Sequence, residues 1–209
     1  MTSLKIEQYV VGSVSTNCYF AINDETKEVV IIDPGAAAKQ LAAKVTEGGL
    51  KPAAILLTHG HYDHAGGAKE LADLLGVKIY AHEAEQETLE NPGINLSGWD
   101  GRVSVYHADE YVADDTMLEL AGFEIRVLHT PGHTVGGCCY YLKEQGTLFS
   151  GDTLFCTSIG RTDFPKGSAS KLIRAINEKL MSLPDETAVY TGHGEMTTIG
   201  MERIHNPFL

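Results

Sequence analysis

Four short apolar segments of the chain each run directly into a polar loop that contains glycine and carries histidine or aspartate. The apolar runs AAILLT, FEIRVLHT, TLFS and AVYT lead into the loops HGHYDHAGG, PGHT, GDTLF and GHG. Apolar runs of this length are typical of strands that are buried in a sheet. Glycine in the loops allows the backbone to approach its neighbours closely. The pattern predicts a sheet-containing fold in which several strand ends present polar side chains.

The order of the elements narrows the fold class. Strand candidates LKIEQYVVG, NCYFAIN and EVVIID precede a helical segment, AAAKQLAAKV, and a second strand–helix unit follows. The second half contains mainly strands, then an amphipathic helix in SASKLIRAINEKLMSL and a last strand. This order predicts a single α/β domain over residues 1–209 with two stacked sheets. Residues 83–112 contain NPG and SGW, and we expect a surface insertion with a short helix there.

Composition excludes several classes of protein. Hydrophobic residues make up 43% of the 209 residues, which is enough for a sizeable core. The net charge of −12 disfavours nucleic-acid partners and anionic membranes. The N-terminus MTSLKIEQYV lacks signal-peptide features, and the longest apolar runs are too short to cross a bilayer. The four cysteines form no CxxC pair, so a reducing, cytoplasmic setting is expected.

The segment THGHYDH is the strongest chemical signal in the chain. It places His59, His61, Asp63 and His64 within six positions after an apolar strand. Imidazole nitrogen and carboxylate oxygen are ligands that Zn²⁺ and Fe²⁺ accept. His59 and His61 point the same way if the strand end is extended. Asp63 and His64 lie beyond the bend, where they can serve a second metal.

Three later segments add candidate ligands in similar settings. His133 lies in a Pro-Gly turn after a strand, Asp152 follows Gly151, and His193 lies between two glycines. One such residue alone is more often structural. Three of them, each after an apolar strand, favour a shared metal site.

In this order, THGHYDH, TPGHT, SGDTLF and TGHG resemble the motifs of the metallo-β-lactamase superfamily, over essentially the whole chain. The resemblance implies a four-layer αββα sandwich with metals at one rim of the sheets. It also implies two divalent metal ions, with zinc expected and iron or manganese as alternatives. The ligands it implies are His59, His61 and His133 at a first metal, Asp63, His64 and His193 at a second, and Asp152 as the bridge.

Within the superfamily, GRTDF after SGDTLF and the ending TIGMERIHNPF are similar to glyoxalase II in its short bacterial form. This implies hydrolysis of a small thioester such as S-D-lactoylglutathione by metal-bound hydroxide, with Asp63 orienting the hydroxide as the catalytic residue. Longer glyoxalase II enzymes add a helical domain that helps hold glutathione, whereas 16 residues follow His193 here. We therefore expect a relaxed demand for the glutathione portion.

Other functions stay open at this point. GRTDF also occurs in the persulfide dioxygenases, a mono-iron branch for which His59, His133 and Asp152 would suffice. Hydrolysis of another ester or a lactone is a further alternative, and the full ligand set disfavours a non-catalytic metal-binding protein. The true β-lactamases have a cysteine where this chain has Asp152, which disfavours antibiotic hydrolysis.

Arg161 is the candidate substrate-binding residue outside the ligand set. Its guanidinium suits a substrate carboxylate, and an ion pair with Asp163 is the structural alternative. Cys138 and Cys139 are adjacent on a strand, so we expect them to pack on opposite faces rather than to act as nucleophiles. The sequence does not predict the oligomeric state.

Overall fold

The first of two sheets follows the order of its strands along the chain. The structure is a computed structural model that describes residues 2–99 and 101–209. The strands of this sheet are β1 Leu4–Val11, β2 Thr16–Asn23, β3 Glu28–Ile32, β4 Lys51–Leu56, β5 Lys78–His82 and β6 Glu110–Val112. Strands β1 to β3 pair antiparallel, and β3 to β6 pair parallel.

The second sheet has the order β14-β13-β10-β9-β8-β7. Its strands are β7 Met117–Leu120, β8 Phe123–His129, β9 Cys138–Leu142, β10 Thr147–Gly151, β13 Ala188–Thr191 and β14 Thr197–Thr198. A small hairpin of β11 Leu154–Phe155 and β12 Ser158–Ile159 follows β10. Only β10 and β13 pair parallel within the described part of this sheet.

Within the described residues, six α-helices lie on the outer faces or in the loops. They are α1 Ala38–Glu47, α2 Tyr62–Ala65, α3 Ala68–Leu75, α4 Gln86–Glu90, α5 Ala169–Ala175 and α6 Ile199–His205. The predicted helix in SASKLIRAINEKLMSL is α5, and it continues as a π-helical turn at Ile176–Leu180. No helix within residues 2–99 and 101–209 is long and apolar enough to cross a membrane.

Three apolar clusters separate four layers. In β3, Val29 and Ile31 pack with α1 and α3, whereas Val30 and Ile32 pack towards the second sheet. This is the period-two alternation of a strand that is buried on both faces. On the far side of the second sheet, Leu148 of β10 packs with α5 and α6. The predicted αββα sandwich is therefore confirmed.

The cysteine pair confirms the expected orientation of β9. Cys138 lies in the cluster between the sheets, and Cys139 lies in the cluster under α5. Both side chains are buried, as a packing role requires.

Residues 83–112 differ from the predicted surface insertion. The segment contains a 3₁₀ turn and α4, but it then joins the first sheet as β6. Leu89 and Asn95 are fully buried, and the Asn95 carbonyl accepts a hydrogen bond from the Tyr62 N–H at 2.8 Å. The segment therefore supports the loop that follows β4, because its apolar residues close over that loop.

Candidate metal centre

The seven predicted ligands all lie at one rim of the sandwich. The chain leaves β4, β8, β10 and β13 at their carboxyl ends, and each departing loop carries at least one of them. Hydrogen bonds join the loops across the two sheets: the Cys138 N–H donates to the Thr58 carbonyl at 2.8 Å, and the Asn17 N–H to the Gly192 carbonyl at 2.8 Å. The topology thus brings together residues that are more than 130 positions apart in sequence.

The ligand atoms form overlapping groups. Within each group, the imidazole nitrogens and carboxylate oxygens lie within 4.8 Å of one another. The groups are His59, His61 and His133; His59, His64 and Asp152; and Asp63, His64 and His193. The first and third match the two predicted ligand triads, although the assignment of each residue to a particular ion stays a prediction.

Asp152 lies between the two triads. Its Oδ1 atom is 3.3 Å from Nε2 of His64, and its Oδ2 atom is 3.5 Å from Nε2 of His133. One carboxylate oxygen therefore faces each half of the cluster. This is the arrangement that a bridging ligand between two metal ions needs.

Hydrogen bonds outside the cluster orient the imidazole rings. Nδ1–H of His133 donates to the Arg161 carbonyl at 2.7 Å, and Nδ1–H of His64 donates to Oδ2 of Asp33 at 2.9 Å. In a neutral imidazole the other nitrogen then carries a lone pair, which points into the cluster. Outer partners of this kind commonly fix metal-binding histidines.

The electrostatics of the cluster favour a bound cation. Burial alone would lower the pKa of His64, but Asp63, Asp152 and Asp33 raise it well above its ordinary value. Burial lowers the pKa of His61 to about 3, so this ring is neutral at pH 7. Burial opposes the ionisation of Asp152, yet His64 and the other histidines hold its pKa at about 2. The carboxylates are ionised at neutral pH, and positive charge between them is stabilised.

Unpaired polar atoms show that the residues fit metal ions. Among the described residues, Nε2 of His59 and Oδ1 of Asp152 are buried and have no hydrogen-bond partner. A buried polar atom left unpaired costs about 1–3 kcal/mol. Coordination would satisfy these lone pairs, and imidazole with carboxylate is a donor set that zinc and iron accept. The cluster is therefore compatible with a dinuclear metal site.

Asp33 supports the loop from beneath. It accepts hydrogen bonds from the Thr58 N–H at 2.7 Å, the Thr58 hydroxyl at 2.6 Å and His64 at 2.9 Å. From its place in Asp-Pro-Gly, Asp33 is interpreted as a residue that caps a turn beneath the metal loop. Its contacts show that it also orients one ligand and fixes the residue before another.

Glu85 is a second supporting carboxylate, which the sequence reasoning missed. It is 1% exposed and accepts hydrogen bonds from the Gly60 N–H at 2.8 Å and the Gly136 N–H at 2.6 Å. Gly60 lies between His59 and His61, and Gly136 follows His133 by three residues. Burial raises the pKa of Glu85 to about 7. The only sequence signal was its position just after β5, at the same rim as the ligands.

A cavity of about 560 Å³ opens over the cluster. Aromatic and aliphatic side chains form most of its walls around the ligands. Arg161 lines this cavity, and it also makes the ion pair that the sequence left open, with two hydrogen bonds of 2.9 and 2.8 Å to Asp163. Its guanidinium carbon lies 4.2 Å from the centre of the Phe164 ring.

Comparison with known families agrees with this fold. The family model of the metallo-β-lactamase superfamily matches residues 11–193. The fold, the ligand cluster and this match define a metal-binding hydrolase as the class of protein. The chain belongs to the metallo-β-lactamase superfamily.

Two relatives match nearly the full chain. The "Probable metallo-hydrolase YqgX" of Bacillus subtilis is 38% identical over 208 residues, which cover 99% of this chain and 98% of that protein. The "Hydroxyacylglutathione hydrolase GloC" of Haemophilus influenzae is 38% identical over 212 residues, which cover 99% of this chain and 98% of that protein.

Two solved structures share the architecture. The structure described as BLEG-1 B3 metallo-β-lactamase has a TM-score of 0.93 and 41% identity, with 98% of this chain and 99% of that chain covered. TTHA1623 in a di-iron-bound form has a TM-score of 0.84 and 36% identity, with 97% and 100% covered. A similar protein thus holds two irons, and the identity of the metals in this chain stays a prediction.

Proposed function

We propose that the protein is a two-metal thioester hydrolase of the glyoxalase II type. The observation that carries this proposal is the position of Asp152, whose two oxygens face two separate triads of ligands. A site for one iron would not need the second triad of Asp63, His64 and His193. The 38% identity to a hydroxyacylglutathione hydrolase supports thioesters as the substrate class.

We assign Asp63 the role of orienting the attacking water. When bound, two divalent ions would supply a water of lowered pKa and polarise the thioester carbonyl. The Thr16 hydroxyl donates to Oδ2 of Asp63 at 3.0 Å, and Nε2 of His193 lies 3.2 Å from the same oxygen. These contacts fix the carboxylate through Oδ2, and we assign its Oδ1 atom the hydrogen bond from the water. Burial opposes its ionisation, but His64 and His193 lower the pKa of Asp63.

The chemistry needs no protein nucleophile or general acid. A thiol with a pKa of about 8.5 leaves readily as the thiolate. Burial raises the pKa of Cys138 well above its usual value and that of Cys139 to about 11. Neither buried cysteine therefore supplies a thiolate at neutral pH.

A substrate panel tests the proposal. The wild-type protein, loaded separately with zinc, iron or manganese, is assayed with S-lactoylglutathione, a small neutral thioester, glutathione persulfide with oxygen monitoring, and a cephalosporin. We expect thioester hydrolysis, and a loss of at least about 10³-fold in the Asp152→Asn variant because the carboxylate would no longer bridge. Asp73→Asn, which alters an exposed carboxylate on α3 that pairs with Lys69, is the control.

Two other substrates in the panel would contradict the proposal if the protein turned them over in preference to the thioester. Oxygen-dependent persulfide turnover without thioester hydrolysis would identify the mono-iron alternative. The cephalosporin is included because a similar structure is described as a B3 metallo-β-lactamase. Cephalosporin turnover that exceeds thioester turnover would contradict both this proposal and the sequence argument from Asp152.

A further inference from the structure

We infer that the site takes thioesters with an apolar, aryl or branched-alkyl group at the non-reacting end, and that this group lies against Trp99 and Phe164. The inference rests on the proposed function and names the substrate class more closely. It contrasts with a charged tripeptide, whose remote end carries carboxylates and an ammonium group.

Two aromatic rings lead from the ligand cluster to solvent. The Phe164 ring is 5.4 Å from the His61 ring and 5.8 Å from the His133 ring, measured between centres. On the solvent side of Phe164, the centre of the Trp99 ring lies 5.7 Å from the centre of the Phe164 ring, in an edge-to-face orientation. Trp99 is 70% exposed, so its indole offers a free face to a bound group. A group that extends from the cluster past Phe164 therefore reaches Trp99.

Aliphatic and aromatic side chains complete this wall of the cavity. Val14, Leu96, Phe155 and Ile159 line the cavity together with Trp99 and Phe164. Phe155 lies on the His193 side, with 6.3 Å between ring centres. The stabilisation that an apolar group gains on binding grows with the apolar surface that it removes from water. A binding wall of this composition stabilises an apolar group and offers little to a charged one.

Outside the ligand cluster, the described cavity lining offers one cationic side chain to the two carboxylates of a tripeptide. Among the described residues that line the cavity, Arg161 is the only lysine or arginine. Its Nε and Nη2 atoms already donate to the two oxygens of Asp163. A substrate carboxylate would have to compete with that pair.

The test compares thioesters that differ in the group they carry away from the thioester carbonyl. The panel contains lactoyl thioesters of glutathione and of benzyl mercaptan, and a phenylacetyl thioester of a small neutral thiol. The benzyl mercaptan compound carries the phenyl group on the thiol side, and the phenylacetyl compound carries it on the acyl side. Comparing the two shows which side of the thioester binds next to Trp99 and Phe164. Proteins tested are the wild type, Trp99→Ala, Phe164→Ala and the control Val103→Ala, whose side chain is 77% exposed and lies outside the described cavity lining.

We expect at least one phenyl thioester to exceed lactoylglutathione in kcat/KM. Trp99→Ala and Phe164→Ala should each lower kcat/KM for that compound by about ten-fold, mainly through KM, as loss of apolar contact in a pocket does. The glutathione thioester should change by less than about two-fold, and Val103→Ala should leave all compounds unchanged. Equal losses on phenyl and glutathione compounds, or no loss on either, would overturn the inference.

Direct binding separates this inference from the proposed function. Trp99 is the only tryptophan of the chain, so its fluorescence reports on the cavity mouth. Benzyl methyl sulfide, a non-hydrolysable thioether, should change this emission and bind more tightly than S-methylglutathione. If no thioester is hydrolysed but the phenyl thioether still binds, the proposed reaction fails and the apolar site stands. If hydrolysis occurs and S-methylglutathione binds more tightly, the reaction stands and the apolar site is wrong.

Discussion

At the scale of single residues, the site depends on carboxylates that do not contact the expected metals. Glu85 joins the loop of His59 and His61 to the loop of His133, through the N–H groups of Gly60 and Gly136. Outer partners of metal ligands typically contribute ten- to a hundred-fold in metal affinity. We therefore assign Glu85 a positioning role.

The Glu85→Gln variant tests this role. An amide has one acceptor oxygen, so one of the two backbone N–H groups loses its partner. We expect metal affinity to fall by about ten- to a hundred-fold and the free energy of unfolding to fall by about 1–3 kcal/mol. Competition with a chelator measures the first quantity, and urea denaturation the second. Glu87→Gln, at an exposed glutamate that pairs with Lys166, is the control; an unchanged metal affinity in the Glu85 variant would contradict the positioning role.

His82 makes stability depend on pH. It is buried and stacks on His129 with 4.0 Å between ring centres, while its Nδ1 atom accepts a hydrogen bond from the Ala84 N–H. Burial and His129 lower the pKa of His82 to about 4. Because the unfolded chain binds this proton near pH 6.5, stability that is present above pH 6.5 is lost as the pH falls towards 4. The expected loss between pH 7 and pH 5 is about 2 kcal/mol.

Urea denaturation of His82→Asn at both pH values measures this loss. Asparagine keeps an acceptor for the Ala84 N–H but does not titrate, so we expect a smaller fall in stability on acidification than in the wild type. His107→Asn, at an exposed histidine beside Glu90, is the control. An equal fall in the wild type and in the His82 variant would show that His82 makes no such contribution.

At the scale of elements, the turn after β10 needs a glycine. Gly151 has a φ of +48°, and a Cβ atom there would lie 2.2 Å from Oγ1 of Thr58. Gly49 has a φ of +60° with no atom within 4 Å of such a Cβ. Gly49→Ala should lower the free energy of unfolding by about 1–2 kcal/mol, because alanine disfavours the left-handed backbone. Gly151→Ala should lower it by about 1–3 kcal/mol more, because Thr58 must also move. If urea denaturation showed equal losses for the two variants, the close packing of Gly151 against Thr58 in the loop after β4 would be contradicted.

Some elements were predictable from local sequence, and others were not. The ligands follow apolar runs directly, so their place at strand ends could be predicted from a few residues each. Glu85 contacts residues 25 and 51 positions away, and no local pattern records such contacts. The burial of residues 83–112 was missed for the same reason. The Asn95 carbonyl accepts a hydrogen bond from the Tyr62 N–H, 33 positions away, and Leu89 packs in the cluster that contains residues of α1 and α3.

At the scale of the whole molecule, two sheets bring their strand ends to one rim. The four ligand-bearing strands leave the sandwich at that rim, and seven side chains converge there. The order of the elements predicted two stacked sheets, and the resemblance implied the four-layer sandwich. Strand β3 is buried at four of its five positions, as a strand with a layer on each face requires. The sequence did not predict the cavity walls, because Trp99 and Phe164 come from loops whose course depends on packing.

The central claim is that one aspartate joins two metal-binding triads. The metal-to-protein ratio tests this claim most directly. Wild-type protein, Asp152→Asn and the control Asp73→Asn are equilibrated with zinc, freed of excess metal and analysed for zinc per chain. We predict about two zinc ions per chain in the wild type and the control, and one or fewer in Asp152→Asn, because the carboxylate faces both triads. One ion per chain in the wild type, unchanged in His64→Asn, would contradict the two-metal account.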